Sequence, residues 1–122
     1  MATPARRRAW NFGRFAEGLC VWVLRLHGYR ILARDYRTAV GEIDIVARRW
    51  NTLAVVEVKA RRDLAKAAES LTRRQRRRIA RAAAAFLMSH PRHAGLAVRF
   101  DLMLVRPWRP PTHLKGAWRE GE

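Results

Sequence analysis

Four charged residues fall at spacings that could do metal chemistry: Glu42 and Asp44, then Glu57 and Lys59. They lie in two runs rich in Ile, Val and Ala, Glu42 to Ala47 and Leu53 to Ala60, separated by a segment containing Trp50-Asn51-Thr52. Period-two alternation across a turn-prone spacer reads as a β-hairpin. Alternate strand residues share a face, which groups Glu42, Asp44 and Val46 against Ile43, Ile45 and Ala47. In the second run Leu53, Val55, Glu57 and Lys59 share a face. With Trp50-Asn51 as a two-residue loop, paired positions have numbers summing to 101, setting Asp44 across from Glu57 and Glu42 across from Lys59. Carboxylates opposed in this way lie roughly 5 Å apart and repel by about 3 kcal/mol at an effective dielectric of about 20. That is a large share of the ~5–15 kcal/mol that stabilises a domain. A divalent cation would offset it, since Mg²⁺ is typically held by one or two carboxylates plus phosphate oxygens and water. Lys59 would bring a positive charge to the edge of the cluster. The same residues also fit a solvated face whose acids pair with surface arginines, and a loop of odd length would undo the Asp44–Glu57 pairing.

The flanking segments must hold this hairpin in place. Met1 to Arg8 reads as a flexible basic arm. Ala9 to His27 has helical periodicity, with Phe15, Leu19, Trp22, Val23 and Leu26 on one stripe and Gly28 as a stop. Glu17 falls on the flank of that helix, where it can pair with Arg14, worth about 0.2–0.5 kcal/mol. Tyr29 to Tyr36 reads as a strand, and Gly41 before the acidic run implies a bend or a close backbone approach. The second hairpin strand, apolar on both faces, is expected at the centre of the sheet. Arg61 to Ser70 reads as a polar connection. Thr72 and Gln75 match a capping box, opening a helix that runs to Ser89 before Pro91, with Gln75, Ile79, Ala82, Ala83 and Phe86 inward. Arginines at 73, 74, 76, 77, 78 and 81 cover its remaining surface. Cations at a helix N-terminus oppose the macrodipole, and bound phosphates would reverse the sign. Gly95 to Val105 reads as a further strand. Beyond Arg106, Pro107, Pro110 and Pro111 are expected to end regular structure. Trp108 and Trp118 of this tail, residues 106–122, either stack on bases or tuck against the body.

The chain has 122 residues, enough for one domain, here 9–105, with a modest core. Net charge is +16, with 23 arginines against three lysines. So large an excess implies a polyanionic partner, nucleic acid first and an anionic membrane surface a distant second. GC-rich coding also favours arginine over lysine but does not account for the excess over acids. A single cysteine, Cys20, excludes an internal disulfide and implies a reducing, cytoplasmic setting. No apolar run reaches the ~20 residues of a membrane span. The four histidines share no metal-ligand spacing, and no P-loop, GxSxG or CxxC occurs.

The run Gly41-Glu42-Ile43-Asp44, with Val56-Glu57-Val58-Lys59 and Arg61, resembles the core of the YraN-type family of small bacterial proteins. These are similar to archaeal Holliday-junction resolvases and to the PD-(D/E)xK, restriction-endonuclease-like nucleases. The likeness reaches Glu17, Gln75 and Arg99-Phe100-Asp101, and so most of the chain to about Val105. It implies an α/β fold, a mixed sheet flanked by helices in the order α-β-β-β-α-β. In the superfamily pattern, an acid on one strand and an acid-x-Lys triplet on the next bind Mg²⁺ and orient the attacking water. Asp44, Glu57 and Lys59 occupy those positions, with Glu17 and Glu42 as further candidate ligands and Ile43 where a proline is usual. Lys59 is cast as orienting the water and stabilising developing negative charge. The expected function is a nucleic-acid-binding, Mg²⁺- or Mn²⁺-dependent endonuclease of DNA repair or recombination, acting on branched or junction DNA. Nucleic-acid contacts are expected from Arg61, Arg73, Arg74, Gln75, Arg77, Arg78 and Arg81. Resolvases of this kind commonly work as homodimers. The rival is a non-catalytic DNA- or RNA-binding module that keeps the fold.

Overall fold

Nine-residue strands built from Ile, Val, Leu and Ala need both faces covered, and two helices cover them. The computed structural model describes the backbone of residues 4–122 and side chains from Phe12 onward. Helix α1 (Pro4–Leu26) leads to strands β1 (Arg30–Thr38), β2 (Gly41–Arg49) and β3 (Thr52–Ala60). Helices α2 (Leu64–Glu69) and α3 (Arg73–Ser89), a 3-10 turn (Pro91–His93) and strands β4 (Ala97–Val105) and β5 (Thr112–Trp118) complete the chain. The sheet order is β1-β2-β3-β4-β5, with β3 central as expected. Neighbours are antiparallel except β3 and β4, which are parallel and joined by the α2–α3 crossover. The α-β-β-β-α-β order of a nuclease-like mixed sheet is therefore present, with α2, the 3-10 turn and β5 added to it.

Helix α3 covers one face, burying Ile79, Ala82, Ala83 and Phe86 against Ile43, Val46, Leu53, Val55, Leu102 and Leu104. The alanines let the helix lie close, and Phe86, fully buried, contributes about 1.5–3 kcal/mol by leaving water. Helix α1 covers the other face through Ala16, Cys20, Val21 and Leu24, against Ile45, Ala47, Ala54, Val56 and Met103. Burial, with the negative charges of Asp44 and Glu17 adding to it, pushes the Cys20 thiol up to about 12, so it stays neutral packing material. Among the described residues no helix is long and apolar enough to cross a membrane.

Several expectations need correction. The buried stripe of α1 lies about one residue round from the one read in the sequence: Phe15, Trp22 and Leu26 are exposed, while Leu19 and Val23 are only partly buried. A helix with apolar residues on most sides does not disclose its core face by periodicity alone. Helix α1 also starts at Pro4, inside the stretch read as a flexible arm; Met1 to Thr3 lie outside the described residues. The polar connection contains α2, capped by Asp63, whose side chain accepts the Lys66 N–H at 2.8 Å. The C-terminal tail regains structure as β5, which pairs with β4 and buries Trp118 in a stack on Phe100 with centroids 5.4 Å apart. Trp108, at the turn into β5, is fully exposed.

Strand β5 is tied to β4 by Asp101, which is fully buried. The Arg99 fork donates to both of its oxygens at 2.8 Å, His113 Nε2 lies 2.8 Å away and the Gly116 N–H donates at 3.0 Å. Burial alone would raise the Asp101 pKa, but the bonds from His113, Arg99 and Gly116 outweigh it and hold the carboxyl below its ordinary range.

The hairpin loop is two residues, as read, with Trp50 at φ 57° in the left-handed region that such loops use. Gly41 fulfils the close approach expected of it. A Cβ there would fall within the van der Waals radius of the Arg78 carbonyl oxygen on α3. The absence of a side chain at Gly41 thus sets how closely α3 docks at the start of β2. Gly41→Ala should destabilise the fold by about 1–3 kcal/mol or more, the usual cost of overpacking, read as a lower midpoint in urea unfolding. An unchanged midpoint would mean that the helix yields at no cost.

Candidate functional site

The β2–β3 pairing runs from Arg49↔Thr52 to Ile45↔Val56, the register summing to 101 that the sequence implies. Asp44 lies just past that last pair. Alternation in β2 also breaks there, because Ile43 and Val46 both face α3 while Ile45 and Ala47 face α1. The sequence grouping of Ile43 with Ile45, and of Asp44 with Val46, is thereby corrected. Instead of standing opposite Glu57 in a regular ladder, Asp44 sits at the break, and its Oδ2 accepts the Val58 N–H at 2.8 Å.

The two acids meet nonetheless. The Asp44 charge reaches Glu57, and the charge of Lys59 reaches both. Burial first, and the Asp44 charge second, push Glu57 up to about 8, against the opposing pull of Lys59. Asp44 is also raised, by burial above all, while the Val58 N–H and Lys59 pull it down. Glu57 and Lys59 are both nearly buried and lie 3.6 Å apart. Gln75 of α3 bridges them: its Nε2 donates to Glu57 Oε1 at 3.1 Å and its Oε1 accepts from Lys59 Nζ at 3.4 Å. Lys59 is thus paired with Glu57, not with Glu42 as the simple register implied.

Gln75 corrects two expectations at once. Thr72 caps α3 by accepting the Gln75 N–H at 3.1 Å, but the Gln75 side chain does not complete a capping box. It turns inward to the acid–lysine pair, so it is not displayed for nucleic acid. Arg73, Arg74, Arg77, Arg78 and Arg81 are exposed along α3. Arg61 is exposed too, with its guanidinium turned back onto the Ala60 carbonyl at 2.9 Å.

Outside the pair opens a cleft of about 510 Å³ lined by Glu17, Asp35, Glu42 and Asp44 with Arg14, Arg34 and Arg37. Glu17 is half-buried and its carboxyl is raised, first by burial, then by the Asp44 and Asp35 charges, with Arg34 and Arg14 opposing. Glu42 is exposed at the rim. Asp35 was not singled out in the sequence. It sits within β1 at φ 48°, a conformation aspartate tolerates better than most residues, and it accepts from Arg37 Nε at 3.2 Å. Arg34 and Arg37 were also missed, since nothing in RDYR distinguishes them from other arginines. Five of the chain's ten acids, Glu17, Asp35, Glu42, Asp44 and Glu57, therefore gather at one corner of a strongly basic protein.

Among the described residues no three acidic, histidine or cysteine side chains converge as a preformed cage. The donor set is instead one buried carboxyl, Glu57, and one part-buried carboxyl, Asp44, that lines the cleft. Such a pair suits a hard dication that takes one or two carboxylates and fills its remaining positions with water and phosphate oxygens.

A model of the Uncharacterised protein family UPF0102 matches residues 16–105, which takes in the whole acid–lysine site. A UPF0102 protein of Paramagnetospirillum magneticum is 51% identical over 97% of this chain and 96% of its own length. One from Nitrobacter winogradskyi is 54% identical over 93% and 96%, and one from Parvibaculum lavamentivorans 53% identical over 91% and 84%.

The raised Glu57 carboxyl sets a pH dependence. A carboxyl whose folded pKa lies above its unfolded value stabilises the fold at low pH, and that stability is lost as pH rises through the folded value. For Glu57 the window runs from 4.5 to about 8. Across it the Tm of the wild type should fall relative to that of Glu57→Gln, which cannot ionise. Parallel Tm curves for the two proteins would show that the Glu57 carboxyl is not raised in the fold.

Proposed function

This chain belongs to the Uncharacterised protein family UPF0102, and we propose that it is a Mg²⁺- or Mn²⁺-dependent endonuclease that hydrolyses DNA phosphodiesters. The observation that carries the reading is the buried Glu57 beside part-buried Asp44, with Lys59 locked to Glu57 by Gln75, in a chain of net charge +16. Uncompensated, a buried carboxyl with two partly buried ones near it is a cost to the fold, and sites that keep such a cost are functional candidates. The excess of basic residues supplies the affinity for a polyanion.

Asp44 and Glu57 would hold the ion, and Asp44 lines the cleft together with Glu17 and Glu42. Bound there, a divalent cation supplies a polarised phosphoryl oxygen and a water of lowered pKa. The chain's own residues do the rest. Asp44 is fixed by the Val58 N–H, which holds its carboxylate in one orientation. Because the raised Glu57 carboxyl must lose its proton before a dication binds, metal affinity rises with pH. Gln75 keeps Glu57 and Lys59 in one orientation, placing the ammonium where it can orient a water and stabilise the charge that develops on the phosphate. Arg34 and Arg37 at the cleft, with Arg73, Arg74, Arg77, Arg78 and Arg81 of α3, would position backbone phosphates without reading sequence.

The test is nicking of linear and four-way branched DNA with Mg²⁺ or Mn²⁺. Asp44→Asn, Glu57→Gln and Lys59→Ala should each lower the rate by about 100-fold or more, the scale seen when a transition-state stabiliser is removed, while DNA binding persists. Binding without cleavage of either DNA would leave a nucleic-acid-binding module, and equal cleavage by wild type and all variants would expose a contaminant. RNA bound as tightly as DNA, with no effect of Asp44→Asn, would move the assignment to an RNA-associated protein.

Gln75→Ala separates positioning from chemistry. It should lower kcat by about tenfold with little change in KM, because it frees Glu57 and Lys59 without removing either. A change in KM alone would place Gln75 in substrate binding.

A further inference from the structure

An aromatic cleft lies on the other side of α1 from the acids. Phe12, Phe15 and Leu19 of that helix face Pro107, Trp108 and Pro110 of the β4–β5 loop across about 560 Å³. The Phe12 and Phe15 rings lie 6.4 Å apart and are both exposed, and Trp108 is wholly so. Trp108 also sits at φ 63°, a conformation that bulky side chains rarely adopt. Apart from Leu19, these residues fall outside the 16–105 segment that matches the family model.

The structure supplies an occupant for this cleft by charge and by position. Arg106 and Arg109 line it beside the aromatic rings, a pairing of cations with flat apolar faces that matches a strand of phosphates and unpaired bases. A second copy of the chain is disfavoured, because two arginine-bordered faces of a +16 protein would repel. Position agrees. Strand β4 runs parallel to β3, with Leu104 level with Lys59 and Val105 level with Ala60. The loop carrying Trp108 therefore leaves the sheet at the end where Lys59 sits. Helix α1 walls both clefts, with Glu17 lining one and Phe15 the other.

We propose that this cleft stacks unpaired nucleotides, so that the strand delivered to the acids is single or frayed rather than fully paired. The proposal rests on the nuclease reading for its partner, and its test is independent of cleavage. With EDTA present, binding of end-labelled oligo(dT), oligo(rU) and a blunt duplex of equal length is followed by fluorescence anisotropy. Trp108→Ala and Phe15→Ala, both at exposed positions, should each weaken oligo(dT) or oligo(rU) binding by about tenfold, the effect of losing one base–aromatic stack, with duplex affinity unchanged. Whichever of the two oligonucleotides shows the larger loss identifies the sugar. Arg73→Ala, on α3, should weaken all three ligands alike. Unchanged oligonucleotide affinity in both aromatic variants, or an equal loss on the duplex, overturns the proposal. A changed sedimentation coefficient, or lost binding to phosphatidylglycerol vesicles with oligonucleotide affinity intact, also overturns it and assigns the cleft to a second copy or to lipid. Absence of nicking in the cleavage assay would leave this binding result standing.

Discussion

A carboxyl buried beside a second, part-buried one, where the β2–β3 ladder ends, is the constraint the rest of the molecule serves. Burial penalises the charge on Glu57, and the Asp44 charge adds to that cost. The fold meets the cost by local means. A strand amide is given to Asp44, and one lysine is set against Glu57 through a glutamine bridge. The bridge requires α3 to lie at one height on the sheet, which Gly41 permits by offering no side chain to the helix backbone.

The contrast with Asp101 clarifies what the pair is. Asp101 is more deeply buried than Glu57, yet it receives a bidentate guanidinium, an imidazole and a backbone amide, and its pKa falls. A carboxylate satisfied so fully has no capacity left for a ligand and serves to join β5 to β4. Asp44 and Glu57 have fewer partners and a raised pKa, leaving oxygens available for a cation. Burial alone does not separate a structural acid from one suited to chemistry; the count of donors around it does.

Much of this was readable from residue types. The two-residue loop fixed the hairpin register, the apolar faces of β3 placed it at the centre, and Ile79, Ala82, Ala83 and Phe86 marked the inner face of α3. Thr72 was recognisable as a cap because its oxygen competes locally for a free amide. Other features arise from tertiary contacts that no local pattern encodes. Period-two reading cannot register the break at Asp44, where Ile43 and Val46 turn to the same face. The side chain of Gln75 had a plausible local partner and took a distant one. Strand β5 follows a proline-rich turn and contains Gly116 at φ 62°, so its weak alternation was hidden until Trp118 was seen against Phe100. Asp35 drew no notice because its proximity to Glu17 depends on how α1 crosses the sheet.

The placement of the single parallel strand pair bears on how the chain is made. Strands β1, β2 and β3 are consecutive and antiparallel, so they can pair as soon as they emerge during synthesis. The far edge of β3, carrying Leu53, Ala54, Val55 and Val56, then has no neighbour until α2, α3 and the 3-10 turn have been translated and β4 arrives. For that interval an apolar strand edge stands open to any extended peptide, the situation in which nascent sheets cross-pair between ribosomes.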